Sequence, residues 1–253
     1  MAKNNKGTVE ETYTLPSLGK FYPNQTSDVS IRSMTTFEEK MRLGNQGFYK
    51  VICNMLDATV TSPEDFDASS LTLFDFRFMM YKMRTVSYGP IYKVTKICPY
   101  CGHQSVSKIN LDDLEVQYIK DDAIEPFDIG PLPRSGDVLG CRHLRVFDLI
   151  NNEKQAKEIL RKNPDYVGDP TYILNMASQI CTINGEEKTP AETRLYVEKM
   201  LAMDSAYFEQ AYNKEVEGPG LQMEVMDTCS ECGEDVVFDL PINSEFFRPT
   251  FDF

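Results

Sequence analysis

Two short cysteine motifs of the same form lie far apart in the chain: CPYCG, which contains Cys98 and Cys101, and CSECG, which contains Cys229 and Cys232. A CxxC turn places two thiolates on one side of a tight loop, where they can share a tetrahedral ion. The glycine that follows suits a left-handed backbone, which turns nearby amides towards the sulfurs. Two such pairs supply the four thiolates of a closed structural site. We therefore predict one structural Zn²⁺ held by these four cysteines.

The residues around the two motifs also repeat. Aligning TKICPYCGHQSVSKINL with MDTCSECGEDVVFDLPI matches both cysteines and the following glycine, and places Val106 on Val237 and Ile109 on Leu240. Apolar and polar residues alternate beside both motifs, which predicts strands. Each copy is therefore predicted to be half of a zinc ribbon, and a helical block separates the halves.

Other roles for the cysteines stay open. A thioredoxin-like redox motif would open a helix after a strand, whereas both motifs here lie between predicted strands. The motifs could also pack together as a degenerate site without metal. A different ligand set is the third alternative, because Cys141 and His143 form a CxH motif and His103 follows the first pair. Cys53 and Cys181 are predicted to be inert thiols.

Composition narrows the class of protein. The chain has 253 residues, 42% of them hydrophobic, which suffices for a globular core. No apolar run approaches the roughly 20 residues of a membrane span, and the polar start MAKNNKGTVEE is unlike a signal peptide. We therefore expect folding in a reducing cytosol, where CxxC pairs indicate metal or redox sites rather than disulfides. The net charge of -13 disfavours binding to nucleic acid or anionic lipid.

Catalytic motifs are missing from the sequence. We find no GxSxG, P-loop, HExxH or dinucleotide fingerprint in the required context. A closed four-cysteine site also leaves no position for a substrate water. We predict a protein that is not an enzyme and has no small-molecule substrate, no nucleic-acid partner and no membrane partner.

Helix signals fill the stretches outside the ribbon. Thr35 with Glu38 has capping-box spacing, Ser62-Pro63 is a cap followed by a first-turn proline, and the residues from Phe48 to Leu56 have helical period. Further helix starts are predicted at Thr72, Asn152, Asp169-Pro170, Thr189-Pro190 and Asp204, and a hairpin turn at Asn184-Gly185.

These signals predict an α+β fold, with a mainly helical body and a split four-cysteine zinc ribbon made of two β-hairpin knuckles. The predicted regions are an extended N-terminal arm (1–34), a helical region (35–87), the first ribbon half (88–120), a loop (121–143), a helical insert (144–217), the second ribbon half (218–243) and an aromatic C-terminal tail (244–253).

Both ends of the chain carry aromatic, proline-spaced segments, LPSLGKFYP and SEFFRPTFDF. If the phenylalanines of the tail are exposed, they form an apolar patch of the kind that marks an interaction site. The alternative is that the tail folds back on its own core. The residues predicted to bind a partner are Leu15, Pro16, Phe21, Tyr22, Phe246, Phe247, Arg248, Pro249, Phe251 and Phe253.

Several segments taken in order carry a resemblance: LPSLGKFYP, SMTTFEEKM, RTVSYGPIY running into CPYCG, then CSECG and EFFRP. Over residues 15–249 the chain resembles the baseplate hub protein family of T-even-type contractile-tail bacteriophages. The resemblance implies a non-enzymatic structural or assembly protein of the baseplate hub, located in the virion, with other baseplate proteins as partners. It singles out the four cysteines and residues 15–23 and 246–249.

A zinc-ribbon regulator that acts on nucleic acid or polymerase is the alternative function. Such a protein is expected to carry basic, aromatic-laced strands. The second ribbon half, MEVMDTCSECGEDVVFDL, is acidic instead. This composition favours a structural or assembly protein.

Overall fold

Strands contribute more to this molecule than its sequence suggests. The computed structural model describes residues 9–44, 46–242 and 246–247. These residues are 39% helical and 23% strand, and the strands form five small antiparallel sheets. The predicted mainly helical body is therefore wrong. Most of the strands outside the ribbon have only two to five residues, too few for an alternating pattern to stand out in the sequence.

The N-terminal region combines a three-stranded sheet with three helices. Residues 9–34, which were predicted to be an extended arm, contain the first two of these strands, and the sheet order is β1-β2-β3. The longest of these three helices, residues Leu73–Tyr88, is buried along most of its length and gives Phe76, Met79 and Met83 to the main core. The elements are β1 (Glu10–Thr14), β2 (Asp28–Arg32), α1 (Thr36–Met41), α2 (Phe48–Thr59), β3 (Val60–Ser62) and α3 (Leu73–Tyr88).

Two hairpins carry the cysteine motifs, as predicted. The first is β4 (Ile91–Ile97) with β5 (Gln104–Asn110), and the second is β12 (Glu224–Thr228) with β13 (Asp235–Asp239). A two-stranded sheet formed by β6 (Val116–Gln117) and β11 (Gly220–Leu221) lies between them in the chain.

The block between the hairpins has a core of its own. A four-stranded sheet of order β10-β9-β8-β7 packs with helices around Leu139, Met176 and Phe208. We call residues 127–216 the insert. Its elements are β7 (Phe127–Ile129), β8 (Leu139–Cys141), α4 (Val146–Lys162), α5 (Pro170–Gln179), β9 (Ile180–Ile183), β10 (Glu186–Glu187), α6 (Pro190–Lys199) and α7 (Ala202–Val216).

Local capping signals predicted several element boundaries. The capping boxes of Thr35 and Thr189 both form, and Thr72 caps α3 by accepting a hydrogen bond from the Asp75 amide. Asn184 and Gly185 have positive φ angles in the turn between β9 and β10. Such a turn suits the right-handed twist of a hairpin.

Other boundaries were predicted wrongly. Ser62 ends strand β3 instead of opening a helix, and α4 begins at Val146 rather than at Asn152. Asp204 lies inside the first turn of α7, where its carboxylate accepts hydrogen bonds from the amides of Arg134 and Ser135. Residues 121–143, predicted to be a loop, contain β7 and β8. Both strands have only three residues, and the pairing of β8 with β9 is long-range, which short-range sequence signals do not encode.

Candidate metal centre

The two hairpins bring the four motif cysteines together. The ligand atoms of Cys98, Cys101, Cys229 and Cys232 all lie within 4.8 Å of one another. The Sγ atoms of Cys98 and Cys232 are 3.7 Å apart, and so are those of Cys101 and Cys229. Four sulfurs at the Zn–S distance of about 2.3 Å in a tetrahedron are separated by roughly 3.8 Å. The thiols therefore fit a tetrahedral ion of the size of Zn²⁺.

The two turns have the same backbone structure. The amide of Cys98 donates to the His103 carbonyl and that of Gly102 to the Cys98 carbonyl, both at 2.9 Å. The second turn repeats these bonds between Cys229 and Glu234 and between Gly233 and Cys229, at 2.8 and 2.9 Å. Gly102 and Gly233 have φ angles of 73° and 76°, the left-handed backbone that was predicted for them. We call residues 98–103 and 229–234 the first and second knuckle.

Without a cation, the thiols of the cluster do not ionise equally. Hydrogen bonds from the backbone amides of Cys232 and Glu231 hold the pKa of Cys229 at about 6. The backbone hydrogen bond from His103 lowers the pKa of Cys101, but burial and the neighbouring thiols outweigh it and raise that pKa to about 12. Interacting sites of this kind share their titration. A divalent cation among the sulfurs would allow all of them to ionise, and this is how metal binding is coupled to proton release.

A salt bridge holds the inner faces of the two hairpins together. Lys96 is buried, with 7% of the residue exposed. Its ammonium lies 2.8 Å from Oδ2 of Asp227 and 2.9 Å from the Asp227 carbonyl oxygen. Ser107 donates to the same carboxylate, and Lys96 lies over the ring of Phe238. The hydrogen bond from Lys96 lowers the pKa of Asp227. We did not foresee this pair, although Lys96 and Asp227 occupy equivalent positions of the repeat.

The alternative ligands lie elsewhere. His143 is buried beside Glu125, whose Oε1 is 2.6 Å from Nδ1 of the imidazole, and Arg145 donates to the same carboxylate. Cys141 is fully buried in β8. Within the part of the chain that the structure describes, the cysteine cluster includes neither these residues nor His103. No short-range sequence signal marks the Glu125–His143–Arg145 cluster.

Most of the residues predicted to bind a partner pack within the chain. Leu15 and Pro16 are buried, and Tyr22 donates a hydrogen bond of 2.5 Å to Asp75. The Phe21 ring lies 4.7 Å from that of His143. These contacts explain how the proline-spaced segment 15–23 is held: it covers the start of α3 and the residues just before α4.

The aromatic tail also reaches the main core. Phe246 is fully buried, with its ring 4.6 Å from Tyr81 and 5.3 Å from Tyr92, and Phe247 is 5% exposed. The exposed patch that we predicted therefore does not include these two side chains. Aromatic edge contacts of this kind stabilise a core beyond the area that they bury. Arg248, Pro249, Phe251 and Phe253 lie outside the described residues.

The described helices include none that is long and apolar enough to cross a membrane.

Neither the curated proteins nor the solved structures contain a significant match to the chain. A family model described as T4 bacteriophage base plate protein matches residues 8–248. Both hairpins, the insert and the sheet of the N-terminal region lie inside that match. The chain therefore belongs to the T4 bacteriophage base plate protein family and is a structural protein of a phage tail baseplate.

Proposed function

We propose that this baseplate protein is a structural or assembly component of the hub region, and that a structural zinc ion joins the two hairpins that flank its insert. The convergence of four cysteines from two repeated knuckles carries the zinc part of the proposal. The resemblance of the segments from LPSLGKFYP to EFFRP, taken in order, to the hub protein family supports the hub part.

The donor set selects the metal. Soft thiolates in a tetrahedral arrangement favour zinc over Mg²⁺ and Ca²⁺, which prefer oxygen ligands. Four protein ligands close the coordination sphere, so the ion would serve structure and not hydrolysis. Each cysteine of the first knuckle lies 131 residues before the equivalent cysteine of the second. One ion would thus tie the strand after α3 to the C-terminal hairpin.

The same features disfavour a regulator that acts on nucleic acid. The second hairpin carries Glu224, Asp235 and Asp239 on its exposed surface. Phosphate binding requires lysine and arginine side chains, which release counterions from the nucleic acid. We propose partners among the other baseplate proteins, and neither nucleic acid, membrane nor small-molecule substrates.

The segment after Phe247 is the proposed docking element. Phe246 and Phe247 anchor the tail in the core, so Arg248, Pro249, Phe251 and Phe253 follow directly on a fixed point of the fold. An extended aromatic segment is a common means of attaching one protein to another. A truncation after Phe247 removes this element and keeps both buried rings.

Two experiments test the proposal separately. For the hub, cross-linking within purified phage tails should connect this chain to the central baseplate proteins, and cross-links only to peripheral ones would contradict the assignment. For docking, the chain truncated after Phe247 should melt like the full chain but fail to complement tail assembly. Truncation after Asn243, which also removes both buried rings, is the control and should lower the melting temperature. Normal assembly by the chain truncated after Phe247 would refute the docking role.

A further inference from the structure

The outer face of each hairpin exposes two large apolar side chains. Ile97 and Val106 of the first hairpin are 68% and 61% exposed, and Met226 and Val237 of the second are 68% and 55% exposed. Met226 and Val237 lie directly opposite each other in the strand register. Alternate residues of a strand point to opposite faces, so these side chains lie on the faces that are turned away from the Lys96–Asp227 salt bridge.

The two outer faces carry opposite charge. Lys93 lies opposite Lys108 on the first hairpin, and the residues sharing that face, at the alternate positions of β4 and β5, include no acid. On the second hairpin, Glu224 lies opposite Asp239, and the corresponding positions of β12 and β13 include no lysine or arginine. Glu224 and Asp239 are like charges directly opposite each other, which destabilises a strand pair unless an opposite charge meets them. The second outer face is therefore suited to a basic surface, and the exposed Lys108 places a positive charge on the first.

The sequence repeat relates these charges to one another. With Cys98 aligned on Cys229, Lys93 falls on Glu224, Lys96 on Asp227 and Lys108 on Asp239. The middle pair lies on the inner faces and forms the salt bridge between the hairpins of one chain. The flanking pairs have the same complementarity but lie on the outer faces. Those faces are on opposite sides of the stacked hairpins, so within one chain they do not meet.

We infer that the outer face of the first hairpin binds the outer face of the second hairpin of another copy of this chain. The contact would pair the exposed apolar side chains of the two faces and place Lys108 against the acidic face around Asp239. Such a contact is heterologous, because it uses two different surfaces, and it leaves one of each free on every pair. Heterologous contacts build rings or open filaments. The strands are five to seven residues long, so the interface is small and the association weak.

A charge exchange tests this contact with the zinc-loaded full-length protein. Sedimentation velocity from micromolar to near-millimolar concentration should show self-association of the wild type. Lys108→Glu and Asp239→Lys should each weaken it about tenfold, the loss of roughly 1.4 kcal/mol. Mixing the two variants should restore association, because the reversed face of one then meets the reversed face of the other.

Lys162→Glu is the matched control, since it makes the same charge change at an exposed site of α4 in the insert. It should associate like the wild type. Every variant, including the neutral Lys108→Gln, should melt at the wild-type temperature. A loss of association without a change in melting then reflects loss of the contact and not loss of folding. A chain that stays monomeric over the whole range would overturn the inference, as expected if another baseplate protein covers these faces. Failure of the mixture to recover association would overturn it as well.

Discussion

The insert and the ribbon reach stability by different means. The insert surrounds its own apolar core, with Phe208 fully buried and Met176 and Leu139 packed beside it. The cluster at the knuckles consists of Cys98, Cys229 and Val236, with Phe238 partly buried against it. Burying a few side chains yields only a few kcal/mol, whereas a structural zinc contributes about 10–16 kcal/mol in small peptides. The knuckles have so small a core of their own that a bound metal would stabilise them most, although the hairpins also place Tyr92 and Val94 in the main core. The insert has a complete core and none of the four clustered cysteines.

Removal of the metal should therefore have the largest effect. A chelator, or the variant Cys98→Ser with Cys229→Ser, should unfold the two hairpins and leave the insert folded. Hydrogen exchange should show loss of protection in β4, β5, β12 and β13, with α4 to α7 protected. Since Tyr92 of β4 and Phe246 share contacts in the main core, that core should loosen too. Unfolding of the insert together with the hairpins would contradict the separation of the two regions.

A truncation in the insert should have the converse effect. Phe208→Ala removes a fully buried ring and should destabilise the insert by about 3–5 kcal/mol. Zinc content should not change, because no ligand lies in the insert. Tyr207→Ala, at a 39% exposed position of the same helix, should change the free energy of unfolding by less than about 0.5 kcal/mol. Urea titration with a parallel metal assay checks all three, and zinc loss in the Phe208 variant would show that the regions are coupled.

The salt bridge between the hairpins should have a smaller effect. Asp227→Ala leaves the Lys96 ammonium, whose side chain is 5% exposed, without its carboxylate. We expect a loss of about 1–3 kcal/mol, since Asp227 is itself 39% exposed. Lys96→Met removes the buried charge and should cost less, because replacing a buried charge by an apolar group is often neutral. Equal losses of stability in the two variants would mean that the unpaired Lys96 ammonium is not what destabilises Asp227→Ala. Thermal melting of the zinc-loaded proteins measures both.

Two carboxylates with lowered pKa values should stabilise the fold at neutral pH and lose that contribution in acid. Burial raises the pKa of Glu38, but hydrogen bonds from Arg32 and Thr35 lower it further, from 4.5 to about 2. At the start of the insert, His143 and Arg145 likewise hold the pKa of Glu125 at about 2 against the effect of burial.

The folded state binds fewer protons than the unfolded state between these pKa values, so stability rises with pH across that window. Both contributions are complete above pH 4.5 and are lost as the pH falls towards 2. Glu38→Gln and Glu125→Gln should each flatten the pH dependence of urea unfolding in this window. If the unfolding free energy of both variants changes with pH as steeply as that of the wild type, Glu38 and Glu125 are not the source of the pH dependence.

The sequence predicted the cysteine cluster better than it predicted the rest of the fold. A CxxC turn with its following glycine is a local device, and the repeat showed that Cys98 and Cys229 are equivalent. Helix caps such as Thr35 and Thr189 are local too, and they formed as predicted. The strands β7 and β8 have three residues each, and β8 also pairs with β9, some forty residues further on in the chain, so sequence period did not reveal them.

The tail shows another limit of the sequence. Four phenylalanines near a chain end indicate either a docking segment or a core contact. Burial of Phe246 between Tyr81 and Tyr92 depends on where α3 and β4 lie, which the sequence of the tail does not contain. The Lys96–Asp227 salt bridge could have been found from the repeat, because its two members align.

Elemental analysis of the purified chain tests the central claim most directly. The wild type should contain one zinc per chain, and the variant Cys98→Ser with Cys229→Ser should contain none. Cys181→Ser changes a thiol outside the cluster and should retain the full metal content. A wild-type protein that folds without zinc, or a double variant that keeps both its metal and its melting temperature, would contradict the account.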